Sequence, residues 1–414
     1  MANLRRSQVA SEIMLEELDS DIHPSDLSPD EVMQAVEARL TSHMQFLLLQ
    51  YYGLMGPALR REVEAGPPSA SMRMEAIKKW LKIGTVHSFI ERNMDKDQAW
   101  TLAQETILQK PGRGFVHLKF QEGDIEDELQ RHSKARPVER VGWSPHGYHR
   151  EHNTYLEKPL HQMVYMKQAS SMTPVGLVTE RVRQGGQKVL DMCAAPGGKS
   201  IEIASLLSGD RHSDLLINDI SGDRMTIMRR VLTDHGIEKS DTRYGYDSLD
   251  GRKFGTLFPN TFDVVLVDVP CSGLGNLYDG DEFILPTPTF AGELNSNKQV
   301  PLLQSAIDAT VPGGLIVYST CTLNPEENEL TINKVKKLRG ESLEIVDPRS
   351  VLPSSPEWPV DKAVAASEAM QRTFGKERDP QRRIKTPFPA MRLDALTSPG
   401  RTTGFFAALL RKKR

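Results

Sequence analysis

Three cysteines occur in the chain, Cys193, Cys271 and Cys321. Two of them close short apolar runs: Cys271 ends "VVLVDVPC" and Cys321 ends "GGLIVYSTC". A lone cysteine is more often a small buried hydrophobe than a nucleophile. Two thiols at equivalent places after strands of one sheet are different, because neighbouring strands would deliver both to one pocket. The reactive form is the thiolate, and the free thiol has a pKa of about 8.5. Such a pocket therefore needs a positive field, which Lys199 or a helix N-terminus would supply. Asp268 stands just before Cys271, with Pro270 stiffening the turn between them.

A second constellation is "DMCAAPGGKS" at 191–200. Its Gly-Lys-Ser ending resembles a phosphate loop, but G-x-x-x-x-G-K-[ST] needs a glycine where Cys193 stands. Pro196 also removes a backbone donor from any phosphate nest. The loop needs another occupant. Gly197 and Gly198, after a strand and before a helix, let the backbone approach a ligand closely. Asp219, at the end of the next apolar run, is placed like the acid that holds a ribose hydroxyl pair, although a helix cap is the commoner use of such a residue. G-x-G-x-x-G is absent, so the pair suggests an adenosyl cofactor rather than a dinucleotide. Asp250-Gly251 either contacts the adenine edge or forms a simple turn.

One reaction uses a thiolate, an acid and an adenosyl cofactor together. Carbon 5 of cytosine is too electron-poor to attack a methyl sulfonium, but thiolate addition at carbon 6 turns the ring into an enamine that accepts the methyl group. Asp268 would hydrogen-bond the ring nitrogen edge and stabilise the developing charge. A second thiol could assist the subsequent elimination.

The elements that must position these residues can be read from periodicity. "KVLDM" (188–192), "DLLIND" (214–219), "FDVVLVDV" (262–269) and "GGLIVYST" (313–320) are short, nearly continuous apolar runs. Helical stretches at 200–207 and 223–236 lie between them. This alternation predicts an α/β fold with a doubly wound parallel sheet buried on both faces. Ligands collect at the carboxyl ends of such strands, where each of the four runs ends in polar or reactive residues.

The first part reads as helical. Ser28-Pro29-Asp30-Glu31 has the form of a capping box, and helices are expected from there to about 53–56 and over 71–95. The stretch 134–153, rich in proline, glycine and charge, reads as irregular linker. The expected organisation is a helical N-terminal region (1–140) for RNA or partner binding, a linker (141–164) and a cofactor-binding domain (165–414).

Bulk properties narrow the class. A net charge of -3 argues against charge-driven coating of nucleic acid, while "RHSKARPVER" (131–140), "KERDPQRRIK" (376–385) and the closing "RKKR" are locally basic. Such runs are as often a plain solvated face. A sparse, odd cysteine count suits a reducing compartment. No metal motif appears, and no apolar run approaches the roughly 18 residues that a membrane span needs. The N-terminus lacks the apolar core of a secretory signal and is ambiguous as a transit peptide.

"VLDMCAAPGGKS", "NDISGDR", "DGRKFG", "VDVPCSG", "VYSTCTLNPEENE" and "TGFFAALLRK", preceded by "QASSMTPV", occur in order over roughly 165–414. In these motifs the chain resembles the Sun-domain (Fmu-related) RNA cytosine-5 methyltransferases. The resemblance implies a Rossmann-like class I methyltransferase fold and S-adenosyl-L-methionine as cofactor. It further implies Cys321 as the nucleophile and Cys271 as the residue for product release, with Asp268 and Lys199 beside them. The family's cofactor contacts fall on Cys193, Ala194, Ala195, Pro196, Gly197, Gly198, Lys199, Asp219, Arg224, Asp250, Gly251 and Asp268. Cys193 belongs to that set by position, with no chemical role apparent for its thiol.

The segment 274–298 departs from the family in lacking an arginine-rich stretch and a Pro-Asp. "NDIS" and "DGRKFG" look most like the mitochondrial ribosomal-RNA branch. That branch implies a mitochondrial location, ribosomal RNA or a subunit precursor as partner, and a helical-repeat protein of the transcription-termination-factor type, with no membrane partner. Two other readings stay open. One is a ribosome-assembly factor using the fold mainly as a scaffold; the other is a DNA methyltransferase, in which the Pro-Cys thiol would attack. An amino-methyltransferase is disfavoured, because Asp268-Val-Pro-Cys271 lacks the usual Pro-Pro-aromatic clamp.

Overall fold

The computed structural model describes residues 113–121, 125–132, 138–150, 163–273, 275, 291–375, 379–393 and 401–413. The helices expected before residue 100, and most of the segment after "PCSG", lie outside the described residues. By chain contacts the protein divides into one unit of residues 1–110 with 280–293 and another of 111–279 with 294–414. The second unit carries all three cysteines.

Its centre is an eight-stranded sheet. The strands are β5 (Lys188–Asp191), β6 (Asp214–Asn218), β7 (Arg243–Asp247), β8 (Phe262–Asp268), β9 (Thr310–Thr320), β10 (Leu343–Val346), β11 (Met391–Leu393) and β12 (Phe405–Lys412). Their order is β10-β12-β9-β8-β5-β6-β7, with β11 pairing β12. β5 through β9 are mutually parallel, while β12 runs antiparallel between β9 and β10. The four apolar runs are β5, β6, β8 and β9, and they occupy the middle of the sheet. Val264, Val265, Leu266 and Val267 alternate between two covered faces, so all four are buried. Chain order reverses at β5, from which β6 and β7 run one way and β8 and β9 the other. The switch point therefore falls at the Cys193–Lys199 loop.

Among helices of eight or more residues, α1 is Ile125–His132, α2 Gly198–Leu206, α3 Gly222–Asp234, α4 Ala291–Ala309, α5 Glu329–Arg339 and α6 Val360–Thr373. α2 and α3 match the two helical stretches expected between strands. Ser221 caps α3, its side chain accepting the Arg224 N–H.

The expectation of a helical region to 140 and then irregular linker needs correction. β1 (Arg113–His117), β2 (Val138–Arg140), β3 (Gly147–Arg150) and β4 (Val164–Met166) form an antiparallel sheet in the order β2-β3-β1-β4. Phe115 and Tyr148 stack at 5.4 Å, and α1 adds Ile125 and Leu129 to the same small core. Trp143, inside the supposed linker, is buried against Trp358 and donates its indole N–H to the Ala169 carbonyl at 3.0 Å. Strands of three to five residues rich in His, Arg and Gly carry too little alternation to register as strands.

Candidate active site

Asp268 and Ser319 face each other in the parallel β8–β9 register, and Ser319 Oγ donates to Asp268 Oδ1 at 2.6 Å. Both chains then turn out of the sheet. Cys271 and Cys321 leave at the same edge, and their sulfurs lie 3.4 Å apart. Lys199, in the first turn of α2, reaches across from β5 and places Nζ 2.5 Å from Asp268 Oδ2. Sequence spacing puts these four residues on strand ends; the register and the order β9-β8-β5 bring them together.

The two thiols are not equivalent. Cys321 is held below the ordinary thiol value, first by the hydrogen bond that Cys271 S–H donates to it and also by the Lys199 ammonium, against burial and the Asp268 charge. Cys271 is pushed well above that value by the hydrogen bond its S–H donates to Cys321, by burial and by the carboxylate of Glu327. Burial pulls the Lys199 ammonium down, but Asp268 outweighs it and holds the group above its usual range. The arrangement favours ionisation of Cys321 over Cys271, beside the Lys199 ammonium. Cys193 is pushed far up by burial and by Asp191, Asp219 and Asp268, so its thiol stays protonated.

The glycine loop is tightly built. Gly197 has φ 103°, and a Cβ there would lie 2.9 Å from Met228 Cγ of α3. Ala194 N–H donates to the Asn218 carbonyl at 2.8 Å, and Gly197 N–H to the Ala194 carbonyl at 2.7 Å. Asp219 is buried and accepts from Ala195 N–H at 3.2 Å and Ser221 N–H at 3.0 Å. Arg224 reaches Ala195 O at 2.7 Å and Asp219 at 3.4 Å. Pro196 is exposed at the tip of the turn.

Asp250 and Gly251 lie beside this loop, but Asp250 spends its carboxylate on capping the next turn and on a bidentate pair with Arg252, closest at 2.6 Å. Gly251 is buried, where a Cβ would meet Leu302 and Met192.

Several functional residues escape sequence reasoning. Asn218 bonds Met192 O, Leu249 O and Leu249 N–H, locking the ends of β5, β6 and the loop after β7 together. Asp191 is fully buried; Ser200 Oγ donates to its Oδ2 at 2.7 Å, its Oδ1 has no hydrogen-bond partner among the described residues, and burial pushes its pKa up to about 6. Ile220, next to Asp219, is 62% exposed. Lys167 ties Gly198 O to Glu202, joining the segment after β4 to α2. Single polar residues of this kind carry no spacing signal.

The chain is similar to several known proteins. A family model described as 16S rRNA methyltransferase RsmB/F matches residues 182–352. Ribosomal RNA small subunit methyltransferase F of Vibrio parahaemolyticus is 31% identical over 247 residues, covering 58% of this chain and 50% of that protein. Its namesake in Erwinia tasmaniensis is 38% identical over 175 residues, covering 41% and 34%. The chain thus spans about half the length, or less, of these curated relatives. A methyltransferase homologue from Pyrococcus horikoshii superposes with a TM-score of 0.57 at 24% identity, covering 84% of this chain and all of that one. NSun6 from the same organism, solved with SFG, superposes at 0.52 with 18% identity, covering 80% and 98%. These two likenesses establish the class I methyltransferase fold.

Proposed function

We propose that the chain is a member of the 16S rRNA methyltransferase RsmB/F family, whose model matches residues 182–352, and that it is an S-adenosylmethionine-dependent RNA cytosine-5 methyltransferase acting on ribosomal RNA. The observation that carries the reading is the thiol pair at 3.4 Å beside the Lys199–Asp268 ion pair.

The residues present suit the cofactor. The space a Cβ would fill at Gly197 is already occupied, which fixes the turn and its N–H groups. Asp219 supplies a buried carboxylate for ribose hydroxyls, and exposed Ile220 an apolar face for a purine ring. The unpartnered Asp191 Oδ1 at the root of the loop is an acceptor suited to a cationic ligand. When bound, the cofactor supplies an electrophilic methyl group.

The protein's own part is set by the charges. Cys321, as thiolate, adds to carbon 6 of cytosine, and the ring electrons are pushed to carbon 5. Asp268, oriented by Ser319 and Lys199, holds the ring's nitrogen edge where charge develops. After methylation the carbon 5 proton passes to solvent, its bonding pair re-forms the 5,6 double bond, the carbon–sulfur bond breaks and Cys321 departs as thiolate. Cys271, in contact with that sulfur, serves this release.

The test is transfer of a tritiated methyl group from S-adenosylmethionine to ribosomal RNA, abolished by Cys321→Ala. Protein that binds cofactor yet methylates no ribosomal RNA would overturn the reading. The likeness of "NDIS" and "DGRKFG" to the mitochondrial branch adds the proposals of a mitochondrial site and a helical-repeat partner. Organelle fractionation and co-purification test both.

A further inference from the structure

Some part of the fold must hold the Cys271 and Cys321 turns at contact distance, and the hydrogen bonds converge on Glu327. Its side chain is fully buried in the turn between β9 and α5. Oε2 accepts from Ser272 N–H at 3.0 Å and from Gln299 Nε2 at 3.0 Å, and Oε1 accepts from Asn324 Nδ2 at 3.3 Å. Gln299, on α4, also donates to Pro270 O at 2.9 Å and accepts from the Tyr318 hydroxyl at 3.2 Å. The single proton of that hydroxyl is shared with the Glu327 carbonyl, the nearer acceptor. One carboxylate therefore grips both flanks of Cys271, Ser272 directly and Pro270 through Gln299. It also anchors the segment just after Cys321.

Its charge is placed asymmetrically. The charged and titratable groups acting on the thiols are Lys199 from α2, Asp268 from β8, Tyr318 from β9 and Glu327. Asp268 and Lys199 act on Cys321 with opposite signs, whereas Glu327 acts on Cys271. A negative charge beside a thiol opposes its ionisation.

We propose that Glu327 is a positioning residue for the thiol pair, holding the two cysteine turns in register and keeping the last proton of the pair on Cys271, so that Cys321 is the sulfur that ionises. On the first deprotonation, the Cys321 proton passes to solvent and the Cys271 S–H points to the new thiolate. Glu327 acts through Ser272, Gln299 and Asn324, the groups its carboxylate holds. The catalytic consequence rests on the reading of Cys321 as nucleophile; the order of ionisation does not.

The test is alkylation of the full chain by iodoacetamide across pH, without RNA or cofactor, with each cysteine quantified by mass spectrometry. In the unmodified protein Cys321 reacts first. Glu327→Gln keeps an oxygen for Ser272 and Gln299 but removes the charge. The Cys271 midpoint then falls, and the Cys321-to-Cys271 rate ratio drops about tenfold, the change that one pKa unit represents. Glu327→Asp restores the ratio. A merely structural role would lower the unfolding temperature and leave the midpoint of Cys271 where it was. Cys271 reacting first in the unmodified protein, or an unchanged ratio in folded Glu327→Gln, overturns the proposal. If the variants do not fold, the order in the unmodified protein decides. Failure of RNA methylation with that order intact would count against the enzyme reading and leave this one standing.

Discussion

Cys321 Sγ lies 3.4 Å from Cys271 Sγ, across the turns that leave β9 and β8. Two sulfurs this close share one proton-transfer environment, yet only Cys321 has the ammonium of Lys199 acting to lower its pKa. On the proposed reading the pair divides into an attacking and an assisting thiol. Cys321→Ala is expected to abolish methyl transfer and all covalent capture of RNA. Cys271→Ala is expected to retain capture and lose release, leaving a protein–RNA adduct that survives denaturant on a gel. Absence of that adduct would remove Cys271 from the release step.

The same division sets the pH profile. Because Cys321 titrates below the ordinary thiol value, single-turnover methylation should rise with pH and level off earlier than an ordinary thiol would set. Lys199→Met removes a charge that favours the thiolate, so the midpoint moves to higher pH. A midpoint unmoved by the substitution would mean that Lys199 does not set the nucleophile.

Gly197→Ala tests the cofactor turn. A side chain at φ 103° is strained, and its Cβ would press on Met228 Cγ at 2.9 Å. The expected cost is about 1–3 kcal/mol, read as a lower thermal midpoint, together with weaker binding of S-adenosylhomocysteine by calorimetry. Undiminished affinity would show that the turn does not shape the cofactor site.

Asp191 gives a stability prediction of definite sign. Its carboxyl has a pKa of about 6 in the fold against 3.8 as its ordinary value. Between those values the folded chain binds more protons than the unfolded one, so stability falls as pH rises from about 4 to about 6. Above that range the penalty is constant, at most about 3 kcal/mol for a shift of about two units. Asp191→Asn should flatten this slope and raise stability at neutral pH by about 1–3 kcal/mol in denaturant unfolding. Cofactor affinity should fall, since the unpartnered Oδ1 is lost as an acceptor. A variant less stable at neutral pH would show that the Asp191 charge is compensated by Lys199 and Lys167.

The central strands are legible in the sequence because burial on both faces demands unbroken apolar runs, and β5, β6, β8 and β9 have them. β7 is not, since an edge strand reading Arg-Tyr-Gly-Tyr-Asp is only half buried. The small antiparallel sheet is hidden because its strands are too short to show a period. At the site, Cys271, Cys321, Asp268 and Lys199 stand out by type and by position after strands. Glu327, Gln299 and Asn218 do not, because a buried polar residue is defined by partners far along the chain.

Taken alone, the amino-acid order determined which side chains could react and that strand ends would carry them, because strand burial and turn chemistry are written in local residue types. Which sulfur ionises was decided only in three dimensions. The sulfurs meet only because β8 and β9 are neighbours, the charges of Lys199, Asp268 and Glu327 reach them from separate elements, and Coulomb energy depends on distance through space rather than along the chain.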